Sequence, residues 1–150
     1  RLGGKRWRRL HQAGYAIAIL AIVHFFWQSK LDIREPVIMA GLYLWLMAFR
    51  LLPKPAQRGP AMLAAMAGLA ALAAALAALI EALYYNLRVG AKLARVLEAN
   101  LGFDNGASAA AIVLAVTLGT VAAGALRMGI ALLALQPRPV SRELAPARHR

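Results

Sequence analysis

Long apolar stretches separated by short polar, proline-marked breaks run through the chain. The first stretch, residues 10–27, is interrupted by His11, Gln12 and His24 and closes on Phe25, Phe26 and Trp27. It has the length a helix needs to cross a bilayer core, and its closing aromatics suit a membrane–water interface. A polar loop over 28–35 leads to Pro36, whose missing N–H is no loss in the first turn of a helix. A second span is predicted over 36–52, stopped by Arg50 and the Pro53-Lys54-Pro55 sequence. Pro60 opens a third span over 60–87, built mostly of alanine and leucine, residues that form helices readily and allow close helix approach in membranes. Residues 88–101 are amphipathic, with Lys92, Arg95 and Glu98 among Val89, Leu93, Val96 and Leu97, and read as an interfacial helix. A turn over 102–106 contains Asp104-Asn105-Gly106, a fourth span covers 107–135, and residues 136–150 form a basic, proline-containing tail expected to be disordered. The predicted fold class is all-α: a polytopic transmembrane helix bundle of about four spanning helices plus one interfacial helix.

Composition turns this pattern into a solvent assignment. With 61% hydrophobic and 16% charged residues, the 150-residue chain is too apolar for an ordinary soluble domain. Membrane lipids are the expected surroundings. The 18 Lys and Arg against 6 Asp and Glu collect between the apolar stretches, where loops would meet charged headgroups. Nucleic acid is not an expected partner, because the basic residues have no interleaved aromatic binding face. Twelve Lys and Arg fall in the amino-terminal segment, the 53–59 region with Arg50, and the tail, against five in the alternate loops. That excess predicts both ends cytoplasmic in a multi-pass protein of the bacterial inner membrane, with His11 near the cytoplasmic surface and His24 toward the periplasm. The basic residues before Leu10 imitate a signal peptide, but no small-residue cleavage site follows and further spans do. Arg1 is therefore read as interior to a longer protein.

Cysteine is absent, so thiolate ligands, disulfides and iron–sulfur clusters have no basis in this chain, and a metal would be held by nitrogen or oxygen. Two of the three histidines lie on the first span, where ionisable side chains are costly and usually functional. Thirteen helical steps set His11 and His24 roughly 20 Å apart along the axis but about 140° apart around it. The spacing suits two cofactors stacked across a bilayer; the rotation demands different flanks. Imidazole is a common haem-iron ligand, and Gly14, one turn from His11, leaves room for a flat macrocycle. A hydrated interfacial imidazole is an equal alternative at His11, and a hydrogen-bonded one is the alternative at His24. His149 lies in the basic tail and is assigned no role. Glu81 and Arg127 are the charges within the third and fourth spans and are expected to snorkel to opposite surfaces, a buried ion pair or proton path being the alternative. Tyr84 and Tyr85 join Trp27 in an expected aromatic belt, and Lys30, Asp32, Arg34 and Glu35 form either a docking loop or a solvated one. No glycine-rich phosphate loop or catalytic triad is present.

The stretch Gly3-Gly4-Lys5-Arg6-Trp7-Arg8-Arg9-Leu10-His11, followed by Tyr15, His24, Trp27, Lys30, Asp32, Arg34, Glu35, Pro36 and Arg50, resembles a known family. It is similar to the haem-binding membrane subunits of periplasmic methionine-sulfoxide reductase systems, the MsrQ or YedZ family of the ferric-reductase-like transmembrane group. The resemblance covers residues 1–52 and implies that His11 and His24 bind the iron of b-type haem. It further implies electron transfer from the quinone pool or a flavin to a periplasmic molybdopterin reductase, an MsrP-like partner, with FMN and quinone as additional cofactor candidates. Other haem-ligating histidines of that family lie on an upstream helix, so their counterparts are expected before Arg1. On this reading residues 1–52 are the C-terminal part of a haem-binding domain, and 60–135 a two-span alanine-rich extension carrying the interfacial helix 88–101. The chain itself relays electrons and makes no substrate bond. Two alternatives are a transmembrane ferric reductase, for which the tail after Pro137 is too short to form a dinucleotide-binding domain, and a non-redox helical assembly protein.

Overall fold

The computed structural model describes residues 3–101 and 106–134; the predicted turn over 102–106 (except Gly106), the end of the fourth span at Leu135, and the tail over 136–150 lie outside the described residues. Every regular element among them is helical: α1 (Gly4–Gln28), α2 (Arg34–Leu51), a 3-10 turn (Lys54–Gln57), α3 (Gly59–Val89), α4 (Leu93–Leu101) and α5 (Ala109–Ala134). The all-α bundle expected from the apolar pattern is present. Three helices, α1, α3 and α5, are long and apolar enough to cross a membrane. The chain is thus a multi-pass membrane protein. The expected second span, α2, differs: at 18 residues it is about 27 Å long and carries Arg34, Glu35 and Arg50 at its ends. It packs against α1, α3 and α5.

Helices α2, α3 and α5 pack against one another, and the core lies among them. Val37 and Trp45 of α2, Ala70, Ala73 and Ala77 of α3, and Ala109 and Val113 of α5 are buried there. The alanine run of α3 is what permits this close approach, since small side chains let helix backbones come together where lipid gives no hydrophobic drive. Gly41 makes the same contribution on α2. A Cβ built on it would lie 2.8 Å from one Val113 methyl, 3.2 Å from the other and 3.6 Å from the Ala77 Cβ.

Polar groups in this apolar setting are tied to backbone carbonyls. The indole of Trp45, 6% exposed, donates to the Met66 carbonyl at 3.0 Å, joining α2 to α3. Where Pro53 ends α2, the Gln57 amide turns back and donates to Leu52 O and to Phe49 O, which also accepts the Leu52 N–H. At the far end of α3, Gly90 adopts φ 69°, a left-handed conformation suited to glycine, and its N–H closes the helix on Asn86 O. This stop displaces the interfacial element: residues 88 and 89 belong to α3, and the separate amphipathic helix is α4 alone, packed on α3 and α5. Ser108 caps α5 by accepting from Ala111 N at 3.2 Å, and its hydroxyl donates to Asn100 O, anchoring the end of α4.

Candidate functional site: the histidine helix α1

Helix α1 continues the apolar stretch upstream through the basic residues, so that Lys5, Arg6, Arg8 and Arg9 are helical. None of its residues is buried, and its only substantial packing partner among the described residues is α2. The half-buried positions Tyr15, Ala18, Ile22, Phe25 and Phe26 recur at helical spacing and form the stripe that meets α2. His11 lies one turn before this stripe and His24 nearly opposite to it, as the helical rotation requires.

Around His11 the side chains form an aromatic ladder. Trp7 stacks on the imidazole with ring centroids 6.3 Å apart and planes 22° from parallel, and Tyr15 meets it edge-on at 5.7 Å. These three rings are spaced at i, i+4 and i+8, a pattern legible in the sequence that singling out the histidines alone overlooks. The second half of the ladder is held from α2: the Arg50 guanidinium sits 4.9 Å from the Tyr15 ring centroid, and the Tyr43 hydroxyl donates to the Tyr15 carbonyl at 3.2 Å. A cavity of about 280 Å³ opens beside Trp7, His11, Gly14 and Tyr15. A Cβ on Gly14 would meet nothing within 4 Å, so this flank is open.

His24 has different surroundings. Its imidazole is exposed on the side of α1 turned from α2, on the same flank as Ile17, Leu20 and Trp27, which are 63%, 67% and 84% exposed. This is an apolar flank with a single imidazole near its end. The two histidines are not brought together, and among the described residues no group of three His, Asp or Glu is placed to hold a metal ion. The donor set therefore fits a haem in one respect: each imidazole has an open, apolar or aromatic flank and offers one axial nitrogen. A second axial nitrogen at either position has no source among the described residues.

Other chemistry-bearing residues assemble elsewhere. Tyr84 and Tyr85 reach the α1–α2 loop, donating to Lys30 O at 3.0 Å and Leu31 O at 2.9 Å. Glu81 lines a polar cavity with Asp32, Arg34, Arg95 and Asn100, while Arg127 is exposed. The loop charges are thereby divided: Asp32 and Arg34 face this cavity, whereas Lys30 is exposed.

Comparison with known proteins supports the resemblance read from α1. The "Protein-methionine-sulfoxide reductase heme-binding subunit MsrQ" of Rhodospirillum rubrum is 45% identical over 58 residues, 39% of this chain and 28% of that protein. This chain is similar to MsrQ. The same subunit of Azospira oryzae is 42% identical over 60 residues, 39% of the chain and 26% of the relative, and that of Salmonella arizonae 51% over 47 residues, 31% and 24%. The chain thus spans about a quarter of the length of the curated MsrQ relatives it matches. No protein-family model matches it, and no solved structure gives a significant match.

Proposed function

We propose that the chain is part of a membrane electron-transfer subunit carrying b-type haem, in which His11 and His24 would each ligate the iron of a different haem. The observation that carries this reading is the placement of two imidazoles on α1, toward opposite ends and on different flanks, each with an open face, in a helix with no buried residue. The similarity to MsrQ heme-binding subunits supports it. Haem, when bound, supplies reversible one-electron chemistry at its iron. The residues of this chain ligate, orient and shield. Trp7 and Tyr15 restrict rotation of the His11 ring between them, and His24 projects from an exposed apolar flank. Arg50 and the basic turn before Leu10 give the His11 end a positive field suited to anionic substituents on a cofactor. The remaining iron ligands would come from other parts of the full-length protein. Residues 1–52 are on this reading the C-terminal part of the haem-binding domain, and 60–135 an extension that buttresses α2. Electrons would enter from the quinone pool or a flavin such as FMN and leave to a periplasmic molybdopterin methionine-sulfoxide reductase of the MsrP type. Both ends of the chain are assigned to the cytoplasmic side of a bacterial inner membrane.

The test is a dithionite-reduced minus oxidised visible spectrum of membranes carrying the full-length protein, for wild type, His11→Ala and His24→Ala. Each substitution is expected to remove or shift the b-type bands of one haem. Lack of b-type bands in the wild type refutes the haem reading and favours a non-redox assembly role; unchanged bands in a variant remove that histidine as a ligand.

A further inference from the structure

The charges of the bundle are segregated by end. Lys5, Arg6, Arg8 and Arg9 lie on the first turns of α1, where every residue from 3 to 14 is exposed. The Arg50 guanidinium, over the Tyr15 ring, brings the close of α2 to this same end, and the 3-10 turn that follows adds Lys54 and Arg58 before α3 begins. Helix α5 runs back along α3: Val113 lies beside Ala77 at Gly41, and a Cβ on Gly124 would lie 3.3 Å from Leu63 Cδ2, near the start of α3. Arg127, one turn beyond Gly124, therefore joins the same end. All eight of these cations are exposed, and no Asp or Glu among the described residues shares their end.

The opposite end is close to balanced. It holds Lys30, Arg34, Arg88, Lys92 and Arg95, but also Asp32, Glu35, Glu81 and Glu98. Asp32, Arg34, Glu81 and Arg95 line one cavity, so charges of both signs face one another there. At the cationic end the described chain supplies no counter-charge, and like charges gathered in this way attract anions from outside. Apolar side chains are interleaved with these cations: Trp7 is 60% exposed, Leu10 57%, Leu51 86% and Leu133 67%. Exposed apolar groups beside uncompensated cations suit the boundary where acyl chains meet phosphates, the Lys and Arg stems lying along the apolar surface while their heads reach the anion. A soluble acidic partner would match the charge but give Leu51 and Leu133 no apolar surroundings.

We propose that this end of the bundle binds anionic phospholipid headgroups, of the phosphatidylglycerol type, in preference to zwitterionic ones. A phosphodiester whose headgroup carries no cation supplies the missing charge, whereas the ammonium of an ethanolamine or choline headgroup brings a further positive charge among the arginines. The opposite end, with acids among its cations, has no comparable preference, so the two faces of the bundle differ in the lipid they recruit. Lys54, Arg58 and Arg127 have no role toward His11 or His24, and the preference is therefore independent of haem.

Native mass spectrometry of the full-length protein, presented with phosphatidylglycerol, phosphatidylethanolamine or phosphatidylcholine of identical acyl chains, tests the assignment. Wild type is expected to retain the glycerol lipid about tenfold better than either zwitterionic lipid, the ratio that one or two surface cations per phosphate give, with the preference falling as ionic strength rises. Lys54→Gln, Arg58→Gln and Arg127→Gln combined should remove most of that preference, and because all three side chains are exposed, helicity by circular dichroism should be unchanged. The matching variant of the opposite end, Lys30→Gln, Arg88→Gln and Lys92→Gln combined, should keep it. Equal retention of the three lipids by wild type overturns the proposal and leaves the surface to an acidic soluble partner. An undiminished preference in the first variant overturns it, as does an equal loss in the second, which would make net charge alone the cause. Displacement of the glycerol lipid by excess inorganic phosphate overturns it in favour of a free-anion site.

Discussion

Replacing Gly41 by alanine probes whether the contact among α2, α3 and α5 governs stability. The added methyl would lie 2.8 Å and 3.2 Å from the two methyls of Val113, well inside the roughly 3.5–4.0 Å at which carbon atoms attract. Relief by rotation is closed off, because a helical valine has one strongly preferred χ1 and Val113 is fully buried. The helices must separate by several tenths of an ångström, and overpacking of this kind costs about 1–3 kcal/mol. Against it stands a gain of about 1 kcal/mol from exchanging a helical glycine for alanine. The control is Gly68→Ala on α3, where a Cβ would meet nothing within 4 Å and only the gain applies. Denaturation in mixed detergent micelles, followed by circular dichroism, should place Gly41→Ala about 1–3 kcal/mol below Gly68→Ala. Adding Val113→Ala to Gly41→Ala should recover part of the deficit as a favourable coupling energy. If Gly41→Ala proves as stable as Gly68→Ala, the close α2–α5 approach is not what fixes the bundle.

Two further substitutions address the lashings between elements. Ser108→Ala removes both the α5 cap and the bond to Asn100 O and should cost about 1 kcal/mol, with faster amide exchange in α4 as its local signature. Tyr85→Phe leaves the Leu31 carbonyl without its partner and should destabilise by about 0.5–1.5 kcal/mol. Hydrogen exchange over residues 29–33 should rise in that variant while α5 is unchanged.

Much of this architecture is legible along the chain because its signals are local. Pro53 and Pro55 end α2, Pro60 opens α3, and the length of each apolar run follows from the bilayer thickness. The divergence of His11 and His24 around α1 also follows from helix geometry alone. The stop at Gly90 is a local signal as well, but the amphipathic pattern over 88–101 runs across it and blurs the boundary between α3 and α4. What the linear pattern does not carry is convergence. Glu81 reads as a stray intramembrane charge until α2, α4 and α3 bring Arg34, Arg95 and Asn100 to one cavity, because helical periodicity specifies which face a residue occupies but not which neighbour that face meets. Trp45 and Met66 are likewise remote in sequence, and their bond depends on the angle at which α2 crosses α3.

The lack of any buried residue on α1 has a consequence for how variants of this protein should be interpreted. A helix that contributes little to the shared core can lose a side chain with little effect on folding, whereas the same loss in α2, α3 or α5 removes packing. Among the described residues, damage to the exposed face of the histidine-bearing helix therefore leaves the α2–α3–α5 packing untouched, and damage to the three-helix core removes it. Abundance and cofactor absorbance scored side by side in the same variants separate the two classes.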